Sequence, residues 1–206
     1  MMADEDDDSP VGADDALQRL MEGNARFLRG EPRHSGMSKE ALASLAEGQR
    51  PYAAILGCSD SRIPPELVFD AGFGELFIIR VAGNVMSPEV MGSIQYAATH
   101  LMTRLFVVLG HEGCGAVQAA LASKFQGVQE RSRIALLLHD MLPGLADIDP
   151  KLPPRRQLEN AVEANVRWSI RQILETPEGR ARATEGRLKL VGAVCEIATG
   201  QVRLIA

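Results

Sequence analysis

Apolar runs bounded by turn residues alternate along this chain with stretches whose apolar positions recur every three or four residues, which predicts strands and helices in turn. "DDALQRLMEGNARFLRG" places Leu17, Leu20, Met21 and Phe27 or Leu28 near helical spacing, with Asp14 as the expected cap and Gly30 as the stop. A short helix is expected in "SKEALASLAEG", capped by Ser38, with Leu42 and Leu45 on one side. "GQRPYAAILGC" turns at Pro51 and then runs apolar and extended into Cys58, as a parallel strand buried on both faces does. "PPELVF" predicts a short helix opened by prolines, and "GELFIIRVAG" a second buried strand. "SPEVMGSIQYAATHL" predicts a helix with Ser87 as cap and Pro88 at its first position. "RLFVVLGH" reads as a third buried strand, followed at once by a helix in "GCGAVQAALASKF". Further on, "RRQLENAVEANVRWSIRQIL" is a long amphipathic helix with Val162, Val166, Ile170, Ile173 and Leu174 on its apolar face. "LKLVGAVCEIATGQVRLIA" predicts a hairpin turning at Thr199–Gly200.

This order implies an α/β fold: a mostly parallel central β-sheet with flanking helices and an antiparallel C-terminal edge. No internal repeat or interdomain linker interrupts it, so residues 13–206 are expected to form a single α/β domain behind a disordered acidic tail, residues 1–12. The chain has 206 residues, 46% of them hydrophobic, enough to bury a core without disulfide or metal staples. Its net charge of −5 and lack of a long Lys/Arg cluster argue against nucleic acid as a partner. An acidic chain can still focus a positive field in one cleft, so an anionic substrate remains compatible. No stretch reaches the ~18 apolar residues of a membrane span, and the N-terminus does not resemble an export signal, which makes a cytoplasmic setting the expectation. Three cysteines, an odd number, make a poor disulfide framework; they are expected as ligands, nucleophiles or small core residues.

The chemistry gathers at two strand ends. Strands 53–57 and 104–109 both run into reactive clusters, "CSDSR" and "GHEGC", and sites in open α/β sheets form beyond the carboxyl ends of strands. Cys58 and Asp60 can therefore face His111 and Cys114. Two thiolates, an imidazole and a carboxylate are a full tetrahedral set for Zn2+, and this mix of donors favours zinc over magnesium or calcium. Four protein ligands would close the shell, as in a purely structural site. Arg62 points the other way. Two residues after Asp60, it can pair with the same carboxylate and leave one metal position to water, whose pKa zinc lowers to about 7.

"GCSDSRIPPELVFDAGFGELFIIRVAGN" followed by "GHEGCGAVQAAL" resembles the β-class carbonic anhydrases over roughly residues 15 to 125. The resemblance implies Cys58, His111 and Cys114 as permanent zinc ligands, Asp60–Arg62 as a catalytic dyad, and reversible hydration of carbon dioxide to bicarbonate and a proton. It also implies a site completed at a dimer interface, in a homodimer or a dimer of dimers. Gln49 falls where the family binds the substrate anion, Phe77 and Tyr96 where it lines the apolar pocket, often from the partner subunit. Gly115 falls where a backbone N–H can hold an oxygen. Two departures stand out. "RVAGN" at 80–84 replaces the family's common "RNxAN", and Ile55 stands where an inhibitory bicarbonate site would need Trp. Cys195 is expected in the core, far from these motifs. Two other readings share the motif: hydrolysis of a sulfur analogue such as carbon disulfide or carbonyl sulfide, and a non-catalytic zinc protein.

Overall fold

The computed structural model describes residues 10–33 and 39–205. Among them five strands form one sheet: β1 (Ala53–Gly57), β2 (Leu76–Arg80), β3 (Leu105–His111), β4 (Lys189–Cys195) and β5 (Val202–Ile205), ordered β2-β1-β3-β4-β5. Every residue of β1 and β3 is buried, which explains why neither shows polar alternation. β1 runs parallel to both β2 and β3, with Ala53 opposite Leu76 on one side and Leu105 on the other. β4 is parallel to β3, and β5 returns antiparallel through a turn in which Gly200 takes φ +79°. The C-terminal hairpin and the antiparallel edge are as expected.

The helices are α1 (Ala13–Arg29), α2 (Lys39–Ser44), α3 (Pro65–Val68), α4 (Pro88–His100), α5 (Gly115–Gln126), α6 (Ser132–Met141), α7 (Pro154–Glu175) and α8 (Pro177–Thr184). None is long and apolar enough to cross a membrane. Ser87 caps α4 as expected, its hydroxyl accepting from the Val90 N–H. Gly30 ends α1 in the left-handed conformation, φ +70°. Fully burying an aliphatic side chain such as Leu20, Ile55 or Leu109 contributes about 1.5–3 kcal/mol each, and the core cluster joins α1, α4, α5 and α7 to the sheet.

Several expectations need correction. Asp14 is not the cap of α1: Gly12 holds that position without a side-chain bond, and Asp14 instead places negative charge in the first turn. The buried face of α1 is Ala16, Leu20, Gly23 and Asn24, while Phe27 and Leu28 stay exposed. The helix lies so close to α3 that a Cβ at position 23 would come within 1.9 Å of the Phe69 carbonyl oxygen. Asn24 replaces an apolar contact there with three hydrogen bonds. Its Nδ2 donates to the carbonyls of Val68 and Gly200 at 2.9 Å, and its Oδ1 accepts from the Val202 N–H at 3.0 Å. β2 is half-buried rather than buried, because it forms the sheet's outer edge. Leu42 is exposed on α2, and Ile170 and Leu174 are only partly buried on α7. The expected Ser38 cap and most of the acidic tail, residues 1–9, lie outside the described residues.

α7 packs directly on the sheet. A Cβ at Gly110 would stand 2.7 Å from Val166 Cγ2, and one at Gly192 would stand 3.1 Å from Val166 Cγ1. Glycine in two adjacent strands thus lets the helix backbone sit over β3 and β4.

Candidate metal centre

β1 and β3 are aligned, Gly57 opposite Leu109, so the segments leaving their carboxyl ends start from one place. Cys58 follows β1 directly. His111 is the last residue of β3, and Cys114 is the N-cap of α5. One donor atom from each of these three residues lies within 4.8 Å of the others, and all three residues are buried. A single ion with metal–sulfur bonds near 2.3 Å and a metal–nitrogen bond near 2.0 Å spans such a triangle after a small contraction.

The imidazole gives the sharpest test of whether a metal fits. His111 Nδ1 lies 2.9 Å from the Glu112 carbonyl oxygen, which can only accept, so Nδ1 carries the proton and Nε2 presents a lone pair. Nε2 is buried and has no hydrogen-bond partner among the described residues. An orphaned buried acceptor costs roughly 1–3 kcal/mol, and a cation held with the two sulfurs would satisfy it. The donors fit zinc.

Hydrogen bonds already favour charge on sulfur. The neighbouring Cys114 thiol holds Cys58 well below the ordinary thiol range against the opposing effect of burial; the Gly83 N–H, donating to the Cys58 sulfur at 3.2 Å, adds to this. Cys114 moves up in consequence. Burial alone would lower His111, but the Cys58 sulfur beside it raises it on balance. A cation between the sulfurs would favour the thiolate form of both.

Asp60 is engaged elsewhere. Arg62 Nε donates to Oδ1 at 2.9 Å, Nη2 to Oδ2 at 2.7 Å, and the Arg62 backbone N–H to Oδ1 at 3.0 Å. The guanidinium holds the carboxyl well below the usual carboxylate range. Oδ2 is still only 3.8 Å from His111 Nε2, so the pair stands at the rim of the three-donor group. Arg80 fixes the segment between them, Nε donating to the Cys58 carbonyl at 2.9 Å and Nη2 to the Asp60 carbonyl at 2.6 Å. Arg80 was not singled out from sequence, although a cation ending a strand beside the ligand loop was a usable signal.

The remaining predicted residues divide. Gly115 opens α5 immediately after Cys114, where the helix's first N–H groups lack intrahelical partners. Gln49, Phe77 and Tyr96 do not join this group within one protomer. Gln49 precedes the amino end of β1 and Cys58 follows its carboxyl end, so a five-residue strand, roughly 16 Å, separates them. Phe77 and Tyr96 stack at 6.2 Å between ring centroids, with His100 4.9 Å beyond Tyr96, and Tyr96 is 48% exposed. Cys195 is buried in the core as expected, but it is not far from the motifs. It stands opposite His111 in the β3–β4 register, and its carbonyl accepts the Glu112 N–H at 3.0 Å.

A family model described as carbonic anhydrase matches residues 53–202. The chain is 52% identical over 108 residues to Carbonic anhydrase 2 of Mycobacterium tuberculosis, a match that spans about half the length of that relative and of this chain. It is 36% identical over 198 residues to the carbonic anhydrase of Mycolicibacterium smegmatis, covering 92% of this chain and 91% of that one. Among solved structures, the β-carbonic anhydrase CcaA aligns with a TM-score of 0.72 at 26% identity, over 92% of this chain and 95% of its own. A metal-donor triangle of two cysteines and one histidine at the ends of two parallel strands, a family model spanning most of the chain and a relative aligned over nearly its whole length agree: the chain belongs to the β-carbonic anhydrase family.

Proposed function

We propose that this chain catalyses the reversible hydration of carbon dioxide to bicarbonate and a proton, with Zn2+ held by Cys58, His111 and Cys114. The observation that carries this reading is the engagement of Asp60. Its carboxylate is fixed by three hydrogen bonds from Arg62 and lies outside the donor triangle, so the protein supplies three ligands, as catalytic zinc sites do, rather than four. Bound there, zinc would supply a nucleophile at neutral pH by lowering the pKa of water.

The chain's own groups do the rest. Arg62 keeps Asp60 ionised, so the carboxylate acts only as an acceptor and orients whatever donor enters the rim beside His111. The start of α5 at Gly115 offers N–H groups and a positive helix end to an anionic product. Burial of Cys58, His111 and Cys114 keeps bulk water from competing for them. Gln49 and Tyr96 are exposed and Phe77 is half-buried, and we read them as lining the site of a partner subunit in a homodimer or dimer of dimers. Residues 13–206 act as one catalytic domain, in the cytoplasm.

Stopped-flow hydration of carbon dioxide on zinc-quantified protein tests the proposal. Turnover that scales with zinc content supports it. Stoichiometric zinc without turnover assigns the chain to the non-catalytic class, and turnover of carbon disulfide or carbonyl sulfide alone assigns it to the sulfur-analogue class.

A further inference from the structure

Two polar side chains interrupt the buried face that α7 turns inward. That face is otherwise Ala161, Val162, Val166 and Ile173, yet Asn165 and Ser169 lie in it, each 1% exposed. Buried polar groups cost free energy unless they are paired, so their partners indicate what they do. Asn165 Nδ2 donates to the Gly83 carbonyl at 2.8 Å, and Ser169 Oγ donates to the Asn84 carbonyl at 3.0 Å. Both acceptors belong to the 3-10 turn Ala82–Asn84, and the N–H of Gly83 in that turn donates to Cys58 Sγ at 3.2 Å.

The turn needs outside support. Gly83 has φ +66° and Asn84 φ +44°, a region that L-residues enter at a cost. Gly83 is also walled in: a Cβ there would lie 2.0 Å from Met141 Cε and 3.0 Å from the Ala116 Cβ. Side chains from α5 and α6 close one side of the turn, and α7 grips its carbonyls.

We infer that Asn165 and Ser169 are positioning residues for the metal centre, holding the 82–84 turn so that the Gly83 N–H points at the Cys58 sulfur and tempers the charge that sulfur gives a bound cation. The pair touches neither metal nor substrate and acts through one backbone N–H. An N–H···S bond draws electron density from a thiolate; when it is lost the sulfur donates more strongly and the ligand is held less firmly. This rests on reading Cys58, His111 and Cys114 as a metal centre.

Cobalt(II) is the probe, because its absorption reports the sulfur directly. Asn165→Leu, Ser169→Ala and the double variant are loaded with cobalt, with Ser169→Thr as the variant that keeps the hydroxyl. Ile173→Ala serves as the control for a core cavity in the same helix, away from the turn. The sulfur-to-cobalt charge-transfer band is expected to move to longer wavelength in the first three variants. Zinc affinity, measured by chelator competition, should fall about tenfold in the double variant. Ser169→Thr and Ile173→Ala should match the parent chain in both readouts. An unmoved band and unchanged affinity in the variants overturn the inference, as does an equal effect from Ile173→Ala. If the double variant fails to fold, Ser169→Ala decides alone, since it removes a single oxygen. A parent chain that takes up no cobalt or zinc refutes the metal-centre reading instead, which separates the two failures.

Discussion

Asp60 and Arg62 meet in a bidentate pair at 2.9 and 2.7 Å, closed by a third bond from the Arg62 backbone, and the pair stands 3.8 Å from an imidazole nitrogen that has no hydrogen-bond partner among the described residues. Arg62→Ala should therefore keep its zinc and lose hydration activity by about a hundredfold or more, since the released carboxylate no longer holds its orientation. Arg62→Lys should recover little, because an ammonium cannot make the two parallel bonds. Asp60→Ala should also keep zinc and lose activity. Stopped-flow rates beside zinc content per chain decide this; wild-type rates in Arg62→Ala at pH 8 would sink the dyad.

Cys58→Ser and Cys114→Ser should each lose the metal, because a hydroxyl does not replace a thiolate on zinc at neutral pH. His111→Ala should do the same and also weaken the fold, since a metal held by Cys58 and His111 would tie together the segments leaving two adjacent strands. Elemental analysis is the measurement, with one zinc per chain expected for the parent.

Gly110→Ala should destabilise the fold by about 1–3 kcal/mol, because the new methyl would press on Val166 Cγ2. Adding Val166→Ala should recover part of that loss. Urea unfolding of the two single variants and the double variant gives the coupling energy; strict additivity contradicts the packing described.

The Phe77–Tyr96–His100 cluster, with Tyr96 and His100 exposed, predicts an assembly. The parent chain should run as a dimer or dimer of dimers in light scattering, and Tyr96→Arg should shift it toward a monomer that keeps zinc but loses activity. A monomeric parent with full activity would remove the partner subunit from the mechanism.

Burial pushes the Tyr52 phenol up to about 12, with Glu75 adding and Arg19 opposing. The folded value lies above the unfolded one near 10, so the protonated phenol contributes stability that is complete below about pH 10 and lost as pH rises through 12. The chain has two tyrosines, so Tyr96→Phe leaves Tyr52 as the sole phenol. Its ionisation at 295 nm should come well above that of the same variant unfolded in guanidinium. Coincident curves would contradict the burial.

Much of this arrangement is legible in the sequence because the inner strands are continuously apolar and end in reactive residues. Ala53–Gly57 and Leu105–His111 announce both their burial and the place where their chemistry collects. What stays hidden depends on lateral order. Leu76–Arg80 looks as apolar as an inner strand, and nothing local marks it as an edge. Asn24, Asn165 and Ser169 read as ordinary polar helix residues until the carbonyls and N–H groups they serve come into place from 44 to 178 positions away. Gln49, Phe77 and Tyr96 match a family pattern in sequence, but Gln49 lies beyond the amino end of β1, away from Cys58, while Phe77 and Tyr96 stack on each other; a sequence pattern carries no information about such placement.

The register of β3 also orders events in time. β3 is flanked on its inner side by a strand that ends at residue 57, opposite Leu109, but on its outer side His111 stands opposite Cys195, eighty-odd residues after it in the chain. A nascent chain that has emerged only to residue 114 holds all three donors yet lacks the strand that pairs with β3 at His111. Closing that long loop is slow compared with forming helices. The three donors therefore reach their buried arrangement beside a complete sheet only once β4 has joined β3, late in folding.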